Sequence, residues 1–176
     1  RDLRMSRGLG DVYKRQHPDY AVIGVYDTAL IKPVAQTLKE LGMKRGFVVH
    51  GSGYDEVSVS GPSEYARLYE NGDIQTGRFT PADFGITAKY TEEDVKGGLP
   101  EENARIAQAV LSGCGKPAHN DMVCANMALL LLAGNRVQSI AEGVELARQT
   151  LATGRALGIV EAHRDFARNG TLAQAA

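Results

Sequence analysis

From Tyr20 onward, dense apolar runs alternate with stretches in which apolar residues recur at helical spacing. Tyr20-Ala21-Val22-Ile23-Gly24-Val25 is nearly continuous in its hydrophobicity, which predicts a strand buried on both faces. Asp27 and Thr28 then offer an N-cap before Leu30, Ile31, Val34, Leu38 and Leu41, a helical series. Pro33 fits a helix interior poorly, so the helix starts just before it or kinks there, and Gly42 ends it. Gly46-Phe47-Val48-Val49-His50 predicts a second buried strand. A strand–helix–strand unit of this length implies a parallel pair with helix cover. Val57 and Val59 read as a short extended piece and Gly61-Pro62 as a turn. Ser63 reads as the cap of a brief helix through Leu68. Asn71-Gly72-Asp73 predicts a turn, and Ile74 to Phe79 an edge strand or extended loop.

Beyond Pro100 the pattern is helical. Pro100 suits the first turn of a helix carrying Ala104, Ile106, Ala107, Val110 and Leu111, closed by Gly113. Residues Asn120 to Ala133 are apolar almost all round, which predicts a buried helix. Ser139 with Glu142 forms a capping-box pair opening a helix through Leu151, and Gly154 separates it from a last helix ending near Asn169-Gly170. Together these elements predict an α/β fold: a central, mainly parallel sheet with helices on both faces and a helical C-terminal half.

Composition narrows the class. At 176 residues, 43% apolar and 23% charged, the chain has the makeup of one globular domain. A net charge of -1 argues against a broad electrostatic grip on nucleic acid. No apolar run is long enough for a membrane helix and no secretory signal is present, so the expected location is cytoplasmic. Cys114 and Cys124 have no His at zinc-ligand spacing and are expected to be small buried residues. Residues 1–16 stand apart: Arg1, Arg4, Arg7, Lys14 and Arg15 face only Asp2 and Asp11, and Gly8 and Gly10 interrupt any period. The string RDLRMSRGLGDVYKRQ resembles translated sequencing-adapter readthrough, so residues 1–16 are expected to be a non-native or disordered leader. Residues 17–170 then form the domain, and 171–176 a frayed tail.

The sharpest chemical feature is Val49-His50-Gly51-Ser52-Gly53-Tyr54-Asp55-Glu56. Open α/β sheets bind ligands at the carboxyl ends of their strands, where this loop lies. Asp55 and Glu56 are hard oxygen donors of the kind magnesium takes when it bridges carboxylates to a substrate phosphate. A solvated acidic pair in a surface turn has the same spacing, and spacing alone favours that reading over a metal site. His50 reads as a strand-end histidine with a hydrogen-bonded role, since no nucleophile or orienting carboxylate is defined beside it. His119 lies before the buried helix, His163 on a solvated face beside Arg164 and Asp165, and His17 at the leader junction. No Gly-x-Ser-x-Gly elbow and no Walker loop occur.

Several spaced strings, in one order, resemble the anthranilate phosphoribosyltransferase family. They are Val22-Ile23-Gly24-Val25-Tyr26, Val48-Val49-His50-Gly51, Asp55-Glu56-Val57-Ser58 with Gly61-Pro62-Ser63, and Pro81-Ala82-Asp83-Phe84-Gly85. Gly97-Gly98-Leu99-Pro100-Glu101-Glu102-Asn103-Ala104 follows, then Asn126, Ala128, Leu129, Ala133-Gly134, Glu142-Gly143-Val144, Ala147 and Gly154-Arg155-Ala156. The resemblance runs from about His17 to Phe166 and implies a partial copy of a phosphoribosyltransferase/nucleoside-phosphorylase-like catalytic domain. It implies transfer of the phosphoribosyl group from phosphoribosyl pyrophosphate to anthranilate, giving phosphoribosylanthranilate and pyrophosphate in tryptophan biosynthesis. It also implies a homodimer when complete, with Asp55 and Glu56 as the magnesium ligands and no acid or base catalyst in this chain. The family's Gly-rich phosphate loop, its Lys-His-Gly-Asn-type segment and its anthranilate-holding arginine have no counterpart here, so the fragment alone is expected to be inactive. Two rivals share the fold: a non-catalytic relative binding nucleic acid or another partner, and a nucleoside phosphorylase.

Overall fold

The structure, a computed structural model, describes residues 18–169; the expected leader of residues 1–16 and tail of residues 171–176 lie outside the described residues. Strand β1 (Tyr20–Gly24) leads through a 3-10 turn at Thr28–Leu30 into helix α1 (Ile31–Glu40) and back into β2 (Arg45–Gly51). Asp27 caps the turn by accepting from the Ala29 N–H at 2.9 Å. Pro33 falls in the first turn of α1, where its missing N–H removes no bond. Gly42 ends the helix at φ +86, a conformation that penalises any side chain.

β1 and β2 pair in parallel, Tyr20 with Arg45 through Gly24 with Val49, as the βαβ reading requires. The chain then departs from expectation. Ser63–Leu68, expected as a brief helix, is strand β3, antiparallel to β2 and followed by antiparallel β4 (Ile74–Phe79). The sheet of described residues is therefore mixed, in the order β1-β2-β3-β4, and this corrects the expectation of a mainly parallel one. Pairing on both sides decides the conformation of β3. Tyr65 stacks on Phe79 with centroids 4.0 Å apart, and the Arg67 guanidinium lies 5.3 Å from the Phe47 ring and 4.5 Å from the Tyr69 ring. A short helix would forfeit the cross-strand contacts with Phe79 and Phe47. The Asn71-Gly72-Asp73 turn closes the hairpin with Gly72 at φ +85.

Helices cover both faces, as expected. On one face Ile31 and Ala35 of α1 bury Val48 and Ala66. On the other, Phe47 and Val49 meet Cys124, Ala125, Ala128 and Leu129 of a 17-residue helix, Pro117–Ala133. Between β4 and that helix the chain forms a one-turn helix, α2 (Glu92–Val95), and helix α3 (Pro100–Leu111). The long helix is α4; α5 (Ile140–Ala152) and α6 (Arg155–Asn169) complete the described chain. Gly143 lets α5 approach closely, since a Cβ there would lie 2.9 Å from the Ala128 Cα. Ser139 accepts from the Glu142 N–H as expected, but the Glu142 carboxylate reaches the Gln138 N–H rather than closing the box on Ser139.

Three further expectations need correction. Cys124 is fully buried, but Cys114 is exposed. His119 sits inside the first turn of α4 and is buried. α4 is not buried all round: Val123, Met127 and Leu130 are 39%, 41% and 40% exposed, so among the described residues one apolar face is open. Among the described residues no helix is long and apolar enough to cross a membrane.

Candidate functional site

The loop after β2 is built to hold backbone in place. Gly51-Ser52-Gly53-Tyr54 is a two-residue turn with Ser52 at φ 43 and Gly53 at φ 93, the paired left-handed conformations of a type I′ turn. Reciprocal bonds between Gly51 and Tyr54, at 3.0 and 2.9 Å, close it, and the Ser52 hydroxyl donates to the Pro62 carbonyl at 2.8 Å. Downstream, Val57, Ser58 and Val59 are buried. The Ser58 N–H donates to the Ser63 hydroxyl at 2.9 Å, and the Ser58 hydroxyl accepts from the Ser60 and Gly61 N–H groups. Asp55 and Glu56 are the two exposed residues strung between these anchors.

Two glycines set how close the pair sits to the sheet. A Cβ on Gly24, at the end of β1, would fall 1.6 Å from the Asp55 carbonyl oxygen. One on Gly51, at the end of β2, would fall 2.2 Å from the Glu56 carbonyl oxygen. The acidic dipeptide therefore lies directly over the carboxyl ends of the parallel strands, at contact distances that only glycine allows. His50 ties the same strand ends together. Its Nδ1 lies 2.8 Å from the Val25 carbonyl, which can only accept, so Nδ1 carries the proton. This is the hydrogen-bonded strand-end role expected of His50.

The pair borders a cleft of about 810 Å³. Ala21, Val22, Gly24 and Val49 form its floor, and Met122, Val123, Asn126, Met127 and Leu130 of α4 form a wall. Tyr54 and Val95 complete the rim. Burial, with the nearby Glu92 and Glu93 carboxylates, raises the Tyr54 phenol above its ordinary value. Among the described residues, none that lines the cleft is cationic. Among the described residues no group of three or more His, Cys, Asp or Glu is placed to hold a metal. Any cation at Asp55 and Glu56 must therefore complete its shell with water or a ligand.

The sequence reading identifies the acidic pair but assigns no role to Asn126, the residue that ties α4 to the loop. Its Oδ1 accepts from the Val57 N–H at 2.9 Å, and its Nδ2 donates to the Val57 carbonyl at 3.2 Å and the Met122 carbonyl at 2.9 Å. In the sequence it appears only as one residue of the family resemblance and as an amide inside a long apolar run.

A mixed sheet with helices on both faces and an acidic loop over a cleft defines an α/β domain with a candidate ligand site at its strand ends. Residues 7–157 match the family described as "Glycosyl transferase family, a/b domain", and the chain belongs to that family. It is 40% identical over 148 residues to an anthranilate phosphoribosyltransferase of Aeromonas salmonicida (strain A449), covering 84% of this chain and 43% of that protein. The crystal structure of an anthranilate phosphoribosyltransferase from Thermus thermophilus superposes with a TM-score of 0.74 at 35% identity, over 82% of this chain and 42% of that one. A Saccharomyces cerevisiae anthranilate phosphoribosyltransferase in complex with PRPP and Mg superposes at 0.67 with 28% identity, over 81% of this chain and 40% of that one. The chain thus spans less than half the length of these relatives.

Proposed function

We propose that residues 17–170 are the C-terminal part of the catalytic domain of an anthranilate phosphoribosyltransferase. The complete protein would transfer the phosphoribosyl group of phosphoribosyl pyrophosphate to the amine of anthranilate. The products are phosphoribosylanthranilate and pyrophosphate, the chemistry of a tryptophan-pathway enzyme of the cytoplasm. The similarity to named relatives supports the family of reactions. The observation that carries the reading for this chain is Asp55 and Glu56, held over the strand ends beside a cleft that no described cationic residue lines.

Magnesium fits that arrangement. It takes hard oxygen donors, keeps several waters and is commonly bound by one or two carboxylates plus substrate phosphate. An anionic diphosphate placed beside two bare carboxylates would be repelled; Asp55 and Glu56 would hold magnesium, which when bound would supply charge neutralisation for the leaving pyrophosphate. Asp55 and Glu56 serve as electrostatic ligands on this reading, and no residue of this chain acts as acid or base. Gly24 and Gly51 let the loop backbone lie against the strand ends, which fixes where the carboxylates begin. The apolar wall of α4 lowers the local dielectric and strengthens the interaction of charges across the cleft. This chain spans less than half the length of the relatives it matches, so we expect no turnover from it alone, and we expect a homodimer when complete.

The test is a chimera in which residues 18–169 replace the matching part of the Aeromonas salmonicida enzyme, followed by the loss of anthranilate fluorescence. We expect magnesium-dependent turnover that Asp55→Asn with Glu56→Gln abolishes. Near-normal turnover of that double variant at saturating magnesium, or phosphorolysis of nucleosides in place of transfer, would overturn the reading.

A further inference from the structure

We propose that Asn126 is a positioning residue for the acidic pair: its carboxamide clamps the backbone of Val57 and thereby fixes the backbone position from which the Asp55 and Glu56 carboxylates reach a ligand. The inference rests on the reading of that pair as a metal site. Asn126 stands in an otherwise apolar stretch of wall, between Met122 and Val123 on one side and Met127 and Leu130 on the other. Packing α4 against the sheet calls for a side chain like those neighbours. The amide instead engages both backbone groups of one residue, 69 positions earlier, as a neighbouring strand would. Its orientation is set, because a reversed amide would turn donor against the Val57 N–H and acceptor against the Val57 carbonyl. The third bond, to the Met122 carbonyl one turn back, holds the amide against its own helix.

The clamp acts at the one place where the loop needs it. On the upstream side the Gly51–Tyr54 turn fixes the chain. On the downstream side Val57 is the first buried residue after the pair, and its side chain alone fixes depth rather than the rotation of the peptide. The Val57 N–H lies in the Glu56–Val57 peptide and its carbonyl in the Val57–Ser58 peptide, so the two bonds hold the planes on both sides of Val57 and with them the backbone from which Glu56 projects. Partners that orient metal ligands in this way characteristically change affinity about 10–100-fold when removed.

The experiment uses the 176-residue chain and Mn2+ alone as the probe, following free Mn2+ by electron paramagnetic resonance and the broadening of backbone amides by NMR. Wild-type broadening should centre on residues 54–57, and Asp55→Asn with Glu56→Gln should remove it. Asn126→Ala and Asn126→Leu should each weaken Mn2+ binding about tenfold or more in the folded chain, while the Val57 amide exchanges faster with solvent. Asn126→Leu keeps the branched shape and the apolar wall, so it decides the matter if the alanine variant fails to fold. A merely structural role would lower the melting temperature and leave the Mn2+ affinity of the folded chain unchanged; that result overturns the proposal while leaving the acidic pair intact. If Mn2+ binding is absent from the wild type or indifferent to the Asp55 and Glu56 changes, the metal reading itself fails and the role of Asn126 falls with it.

Discussion

Gly24→Ala tests whether backbone proximity, rather than side-chain chemistry, builds the site. The new methyl carbon would lie 1.6 Å from the Asp55 carbonyl oxygen and 2.6 Å from its carbon. Reaching ordinary contact requires a retreat of about 1.5 Å or more. β1 cannot easily supply it, because Gly24 pairs with Val49 and the Val25 N–H donates to the Val49 carbonyl at 3.0 Å. The loop must yield, against the Gly51–Tyr54 turn on one side and the Asn126 clamp on the other. Overpacking of this kind costs about 1–3 kcal/mol, and each kcal/mol lowers the melting temperature of a chain this size by roughly 2–4 °C. In the chimera, a displacement beyond about 1 Å at the site should cost turnover about 10²-fold. Calorimetry and the amide shifts of residues 54–57 read the two effects separately. Gly158→Ala is the control: its Cβ meets nothing within 4 Å, it lies in α6, and it should gain roughly 0.5–1 kcal/mol. A Gly24→Ala chain as stable as wild type, with unmoved shifts at 54–57, would refute the argument.

Two further outcomes are expected. Burial raises the Cys124 thiol to about 11, so a disulfide reagent at neutral pH should label exposed Cys114 at once and Cys124 only on unfolding; fast reaction of both thiols would contradict the buried placement. The same shift makes stability alkali-sensitive: the folded state holds the thiol proton more tightly than the unfolded chain, so this contribution is present below about 9 and is lost as pH climbs toward 11. Tyr90, raised by burial and by its bond to Asp121, acts in the same direction, and a urea midpoint that Cys124→Ala with Tyr90→Phe fails to flatten over that window would refute the assignment. Asp83 accepts from the Thr80 N–H and hydroxyl, which holds its carboxyl below the ordinary range; Asp83→Ala should cost about 1 kcal/mol and remove a contribution that wild type loses as pH falls through the acid range. An unchanged urea midpoint in that variant would show that the box does not matter.

Much of this fold is legible in the sequence because its signals are local. The apolar run at Tyr20–Val25, the Asp27 cap, Gly42 and the helical spacing beyond Pro100 each specify an element without reference to the rest of the chain. Ser63–Leu68 misleads because Ser-Glu-Tyr-Ala-Arg-Leu carries no strong local preference, and its conformation is decided by partners on both sides. The one-turn helix at Glu92–Val95 leaves no periodic trace in four residues, although Thr91 and Asp94 form a capping box at its start. At the site, Asp55 and Glu56 stand out through composition and position. Asn126 does not, because its meaning lies in a contact 69 residues away, and an amide in an apolar run looks the same whether it clamps a loop or meets water.

The division of labour at the site follows from what each part can hold still. The Asp55 and Glu56 side chains reach solvent and form no ion pair among the described residues, so their carboxylates remain free to turn toward a ligand. Their backbone is pressed against two glycines and stapled at Tyr54 and Val57. Such a site suits a metal that arrives with an anionic substrate and takes part of its shell from water and phosphate. On the proposed reading, two carboxylates and water hold a divalent cation measurably by themselves, and a diphosphate would tighten it further by filling the remaining positions. The same logic ranks substitutions. Changing a carboxylate to its amide removes charge but leaves geometry, whereas changing Gly24, Gly51 or Asn126 moves both carboxylates together. On the proposed reading, defects of the second kind should persist at magnesium concentrations high enough to saturate the site.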